Sequence, residues 1–176
     1  MGWNAALGAL DYFAYVYKGY DVYLYFPIPV FIAYTISGLL FNLLSKKFSY
    51  ATLVKTGILG LNFFLVYLLF ISIVFKNNPG VGYVLTLVGG FFLGFSNNLC
   101  QLSFFGMINY FGMLTVSRFT IGTAASGLMV ILLRVIVTAI FGDNQANITP
   151  IVIYFCLSIL FNFFDLFLNI KMFKSR

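Results

Sequence analysis

An all-α, multi-pass membrane protein is the fold class this sequence predicts, and three observations predict it. The chain of 176 residues is 62% hydrophobic and 8% charged, too few charges to solvate the surface of a water-soluble domain. Its apolar residues gather into six runs, most of them near the roughly 20 residues that a membrane-spanning helix needs. The breaks between the runs are short and rich in Gly, Asn, Lys and Asp, as interhelical turns are. The whole chain, 1–176, therefore reads as a single bundle with no room for a separate soluble domain.

Taken in order, the runs are Gly2 to Tyr17, Val22 to Leu44, Ala51 to Phe75, Gly82 to Tyr110, Ser117 to Phe141 and Pro150 to Ile170. The first is the shortest, with about sixteen residues before Lys18 where a full span needs about twenty. It lacks the charged start, short apolar core and small-residue cleavage site of a signal peptide, so it reads as a truncated first helix. The breaks at Lys18 to Asp21, Ser45 to Tyr50, Lys76 to Val81, Phe111 to Val116 and Gly142 to Thr149 carry most of the charge.

Those charges set an orientation. If the runs alternate direction, Lys46, Lys47, Lys55, Arg118, Lys171, Lys174 and Arg176 share one side and only Lys18 and Lys76 the other. An excess of Lys and Arg marks the cytoplasmic face, so the first helix is expected to run outward and the C-terminus to lie inside. The same dispersal argues against nucleic acid as the partner behind the net charge of +6, because no basic tract or stripe forms. Asn147-Ile148-Thr149 is a glycosylation-type triplet on the expected outer side. Cys100 and Cys156 both sit inside apolar runs and read as helix-packing residues rather than a disulfide or a metal pair.

Polar residues inside the runs carry the functional information, because a polar group in hydrocarbon needs a partner or a wet cavity. In the fourth run Gly90, Gly94, Asn97 and Gln101 recur at helical spacing on one face, with Asn98 adjacent. Two readings fit that face equally: a close helix contact through the small pair Gly90 and Gly94, or a cavity lined by carboxamides that both donate and accept. In the fifth run Thr123, Gly127, Arg134 and Thr138 share a face beside Gly122 and Ser126, and in the sixth Ser158, Asn162, Asp165 and Asn169 do. Three polar-faced helices in a row predict a bundle around a wet interior.

Asp11, Arg134 and Asp165 are the ionisable residues well inside the runs. At 1.5 Å per residue Asp11 and Arg134 sit at a similar depth, roughly 10 Å from the outer end, whereas Asp165 lies nearer the inner end. Depth thus matches Asp11 with Arg134 and Asp165 with Arg118, and disfavours Arg134 with Asp165. With no His and two intramembrane carboxylates on different helices, an acid, base, nucleophile or metal set is missing, so neither an enzyme nor a cofactor is expected. A channel would need a ring of polar groups at one depth, and these stripes run along the helices.

Trp3-Asn4-Ala5-Ala6-Leu7 followed by Asp11-Tyr12-Phe13, Gln101-Leu102-Ser103-Phe104-Phe105-Gly106, and Gly122-Thr123-Ala124-Ala125-Ser126-Gly127 followed by Arg134 to Ala139 stand in order on the first, fourth and fifth helices. Together these elements resemble signatures of the equilibrative nucleoside transporters, over the first six of that family's eleven helices. The resemblance implies a six-helix bundle like one half of a major-facilitator-like transporter, carrying nucleosides or nucleobases by alternating access. It implies that Trp3 packs against the solute, Leu7 adds an apolar wall, Gln101 hydrogen-bonds the base and Asn97 stands one turn away. Asp11, Arg134, Asp165, Ser126, Gly127 and Thr138 would serve as structural or gating polar groups.

Departures accompany the resemblance: Thr123 stands where the family usually has Gln, and the ribose-holding Asp and Arg of the family's C-terminal half are absent from the chain. The expectation is a partial chain whose partners are a nucleoside, the lipid bilayer and a C-terminal half or second chain. Its membrane is the plasma membrane or that of an organelle. A non-transporting helical bundle or adaptor is the alternative, since small-residue faces also hold inert bundles together.

Overall fold

The computed structural model describes residues 2–111, 113–142 and 148–174, and among these the chain is helical throughout, with no strand. The helices are α1 Gly2–Leu7, α2 Leu10–Val16, α3 Val22–Tyr25, α4 Pro27–Lys47, α5 Tyr50–Val74, α6 Pro79–Phe111, α7 Met113–Phe141 and α8 Thr149–Lys174. Counting Val22–Lys47 as one span, five are long and apolar enough to cross a membrane. The protein is an all-α, multi-pass membrane protein. Asp143, Asn147 of the glycosylation-type triplet and Arg176 lie outside the described residues.

The helix ends follow local chemistry. Pro27 and Pro29 sit at the start of α4, where a missing N–H costs least, and they separate α3 from α4 although Phe26 keeps helical angles. Ser49 caps α5 by accepting from the Thr52 N–H at 3.3 Å. Gly142, at φ +78, ends α7, and Gly19, at φ +94, turns the chain between α2 and α3, both in the left-handed region that glycine enters freely. The expected break at Phe111 to Val116 is much narrower than the sequence implies, because α6 reaches Phe111 and α7 starts at Met113. Without water to compete for their backbone hydrogen bonds, helices in lipid continue through residues that would form a turn elsewhere.

The first run is not one helix, which corrects the sequence expectation. It breaks at Gly8 and Ala9, where the Ala9 N–H turns to the Ala6 carbonyl at 3.2 Å instead of to Ala5. The freed Ala5 carbonyl accepts from the Tyr154 hydroxyl of α8 at 3.1 Å. A Cβ at residue 8 would collide with that hydroxyl, so Gly8 is what lets Tyr154 enter the ladder.

Helices α5 and α6 form the centre: 44% of the apolar stretch of each is buried, against 11% in α7. They run antiparallel. Gly57 lies against Cys100 and Ser96, Gly89 against Tyr67 and Leu68, and Gly106 against Tyr50. Helix α4 runs parallel to α6, with Phe26 on Gly90 and Val30 on Gly94. An added Cβ at Gly94 would lie 2.9 Å from the Val30 carbonyl oxygen. Lipid supplies no hydrophobic drive between helices, so this close backbone approach is what holds them together. The aromatic core lies at the end where α2 meets α3: Phe13 packs on Tyr17, Phe26 and Phe155 with ring centroids 6.1–6.4 Å apart.

Candidate functional site

The cavities lie beside that core toward the middle of the bundle, along the middle stretches of α5, α7 and α8 and the later part of α6, and Leu61 belongs to both core and cavity wall. One, of about 300 Å³, is walled by Ile58 and Leu61 of α5, Asn97, Cys100, Gln101 and Phe104 of α6, Gly122, Thr123 and Ser126 of α7, and Asn162 and Asp165 of α8. A second, of about 510 Å³, is walled by Asn4 of α1, Gln101 and Phe105 of α6, and Thr120, Thr123, Ala124 and Gly127 of α7. Gln101 and Thr123 belong to both walls. Each volume is within the range of small-molecule sites, roughly 300–1,000 Å³.

The polar lining is almost entirely neutral. Carboxamides of Asn4, Asn97, Gln101 and Asn162 and hydroxyls of Thr120, Thr123 and Ser126 offer donors and acceptors, with phenylalanine beside them. Among the described residues Asp165 is the one charged side chain of the two walls, and no Lys or Arg lines either. Among the described residues no three His, Cys, Asp or Glu side chains gather as a metal set.

The polar face of α6 serves both readings left open by its spacing. Gly90 and Gly94 pack on α4, and Asn98, buried, donates to the Tyr34 carbonyl at 2.8 Å and to Ser37 Oγ at 2.7 Å. Asn97 donates to the Tyr34 hydroxyl and still borders the cavity. Gln101, one turn on, belongs to the cavities. The glycine half of the stripe is a helix contact and the carboxamide half is a wall.

Two polar rungs tie the broken first segment to α7, one on each side of the break. Asn4 Nδ2 donates to Ser126 Oγ at 3.1 Å, and Ser126 in turn donates to the Thr123 carbonyl at 2.7 Å. Past the break, Arg134 makes an ion pair and hydrogen bond with Asp11 at 2.5 Å, the pair matched by depth in the sequence. Arg134 also lies over the Tyr154 ring, 5.7 Å from its centre.

Of the residues singled out from the sequence, Asn97, Gln101, Ser126, Gly127 and Asp165 come together at the cavities. Trp3 and Leu7 line neither: Trp3 stacks on Phe26, rings 6.2 Å apart and 5° from parallel, and Leu7 is 37% exposed. The physical reason is the break at Gly8, which aligns α1 on Phe26 and the core. Asp11 and Arg134 form the second rung, and Thr138 is half-buried one turn beyond it. Sequence reasoning missed Asn4, Tyr34, Tyr154 and Asn162 as site or support residues. Asn162 carried a signal, its place on the polar face of the sixth run, whereas the tyrosines were hidden among apolar residues.

No known family description matches the chain, and no curated protein or solved structure matches it either.

Proposed function

We propose that the chain forms one bundle of a major-facilitator-like membrane transporter that carries nucleosides or nucleobases by alternating access. The observation that carries the reading is convergence. Asn4, Gln101, Thr123 and Gly127, drawn from the three separate sequence elements that resemble equilibrative nucleoside transporters, border one cavity. A neutral wall of carboxamides and hydroxyls with phenylalanine beside it suits an uncharged solute that is polar at its edges and flat on its faces.

In this reading Gln101 hydrogen-bonds the solute, Asn97 supports it from one turn away, and Thr123 takes the place of the family's Gln. The Asp11 and Arg134 rung holds the first segment to α7 while the cavity exchanges access, and the C-terminus faces the cytoplasm, as the Lys and Arg distribution indicates. The test is uptake of labelled adenosine and uridine in cells lacking endogenous nucleoside transporters. They would express the chain with and without Gln101→Ala. Uptake that Gln101→Ala abolishes at unchanged surface expression is the expected result. No uptake by any inserted form would favour a non-transporting bundle instead.

A further inference from the structure

Asn162 sits in the wall of the smaller cavity, on α8, and is 3% exposed. Its Nδ2 is buried and has no hydrogen-bond partner. Leaving a buried amide unpaired is unfavourable by about 1–3 kcal/mol. Asn98, Asn97 and Asn4 all donate to named oxygens, whereas Asn62, away from both cavities, is unpaired like Asn162. Unlike Asn62, Asn162 stands in a cavity wall, where there is room for a partner from outside the chain.

We infer that Asn162 is a solute-positioning residue, its carboxamide reserved for the polar edge of a neutral heteroaromatic ring. The inference rests on the reading of this cavity as a solute chamber and names the group that orients the solute in it. A carboxamide carries a donor and an acceptor side by side, and so pairs with an edge that presents an adjacent acceptor and donor, as nucleobases do. Gln101 and Phe104 border the same cavity, giving the ring a second polar contact and an apolar face. Among the described residues the wall carries a carboxyl group, Asp165, and no Lys or Arg, so a phosphorylated solute finds no basic side chain there. The preferred ligand is the uncharged nucleoside or base, not the nucleotide.

Asn62 supplies an internal control. It is also buried, and neither end of its carboxamide has a partner, but it lines neither cavity. The experiment compares the purified chain with Asn162→Leu, Asn162→Ala and Asn62→Leu in detergent. It reads the thermal midpoint without ligand and its concentration-dependent rise with adenosine, uridine, uracil and adenosine monophosphate.

The expected result is a rise with the uncharged compounds that exceeds the rise with the nucleotide. Asn162→Leu should raise the ligand-free midpoint and weaken apparent binding roughly tenfold, the size of one hydrogen bond to a neutral group. Asn162→Ala should weaken binding likewise, and Asn62→Leu should raise the ligand-free midpoint with binding unchanged. Binding that persists at full strength in both Asn162 variants overturns the inference and leaves the transporter reading standing. A wild-type chain that responds to none of the compounds overturns both.

Discussion

Two regions of this bundle meet the problem of polar groups in a membrane differently. At the Phe13 end, rings from α2, α6 and α8 and that of Phe26 fill the interior, and the tyrosine hydroxyls among them are paired: Tyr17 with Thr86 at 2.8 Å, Tyr154 with the Ala5 carbonyl. Around Gln101, glycines, small hydroxyls and carboxamides leave space, and Asn162 keeps an amide without a partner. One region is packed shut and the other is hollow and polar. The difference teaches that polar residues on a single helix face do not share a role: their depth along the bundle decides whether they clasp helices or line a chamber.

The largest expected effect comes from disturbing the closest backbone approach. Gly94→Val should cost about 3 kcal/mol, the upper end of overpacking, because the new Cβ meets Val30 backbone atoms that have nowhere to move. Loss of monodisperse protein after extraction checks it. Gly122→Val sharpens the comparison from the other side. A Cβ there meets nothing within 4 Å, so the melting midpoint should hold while the filled cavity lowers nucleoside uptake.

Next is the Asp11 and Arg134 rung. Neutralising one partner, by Asp11→Asn or Arg134→Gln, should destabilise by about 2 kcal/mol. That is less than the 3–5 kcal/mol of a fully buried pair, since 37% of the Asp11 side chain is accessible. The double variant should be less damaged than either single one, because an uncompensated charge costs more than none. Thermal melting of the four proteins decides it, and equal damage in the double variant would count against a paired role.

Smaller still, Asn98→Ala removes two hydrogen bonds between α4 and α6 and should cost about 1 kcal/mol, the scale of interhelical bonds in membranes. This is opposite in sign to the effect expected of Asn162→Leu. Tyr154→Phe should have the least effect, about 0.5–1 kcal/mol, as it deletes the hydroxyl at the break but keeps the ring. Faster amide hydrogen exchange around Ala9 would report it locally.

The bundle was legible in the sequence because lipid makes apolarity and helix length nearly sufficient: α4, α5 and α8 start within a few residues of the runs at Val22, Ala51 and Pro150. The break at Gly8 was not, since Gly and Ala occur in unbroken membrane helices and the cause, Tyr154, arrives from the far end of the chain. Gln101, Asn97, Ser126 and Gly127 were legible from their helical spacing. That Asn98 is satisfied and Asn162 is not could not be read, because pairing depends on which helix lies opposite. Trp3 shows the converse: a residue prominent in the sequence pattern stacks on Phe26 away from both cavities.

The most direct measurement is the reactivity of Thr123→Cys, introduced with Cys100→Ala and Cys156→Ala, toward a water-soluble thiol reagent with and without adenosine or uridine. If the region around Gln101 is a solute chamber, the thiol reacts and nucleoside slows the reaction in a saturable way. A thiol that is inert in correctly inserted protein, or that reacts equally fast with nucleoside present, would contradict the account.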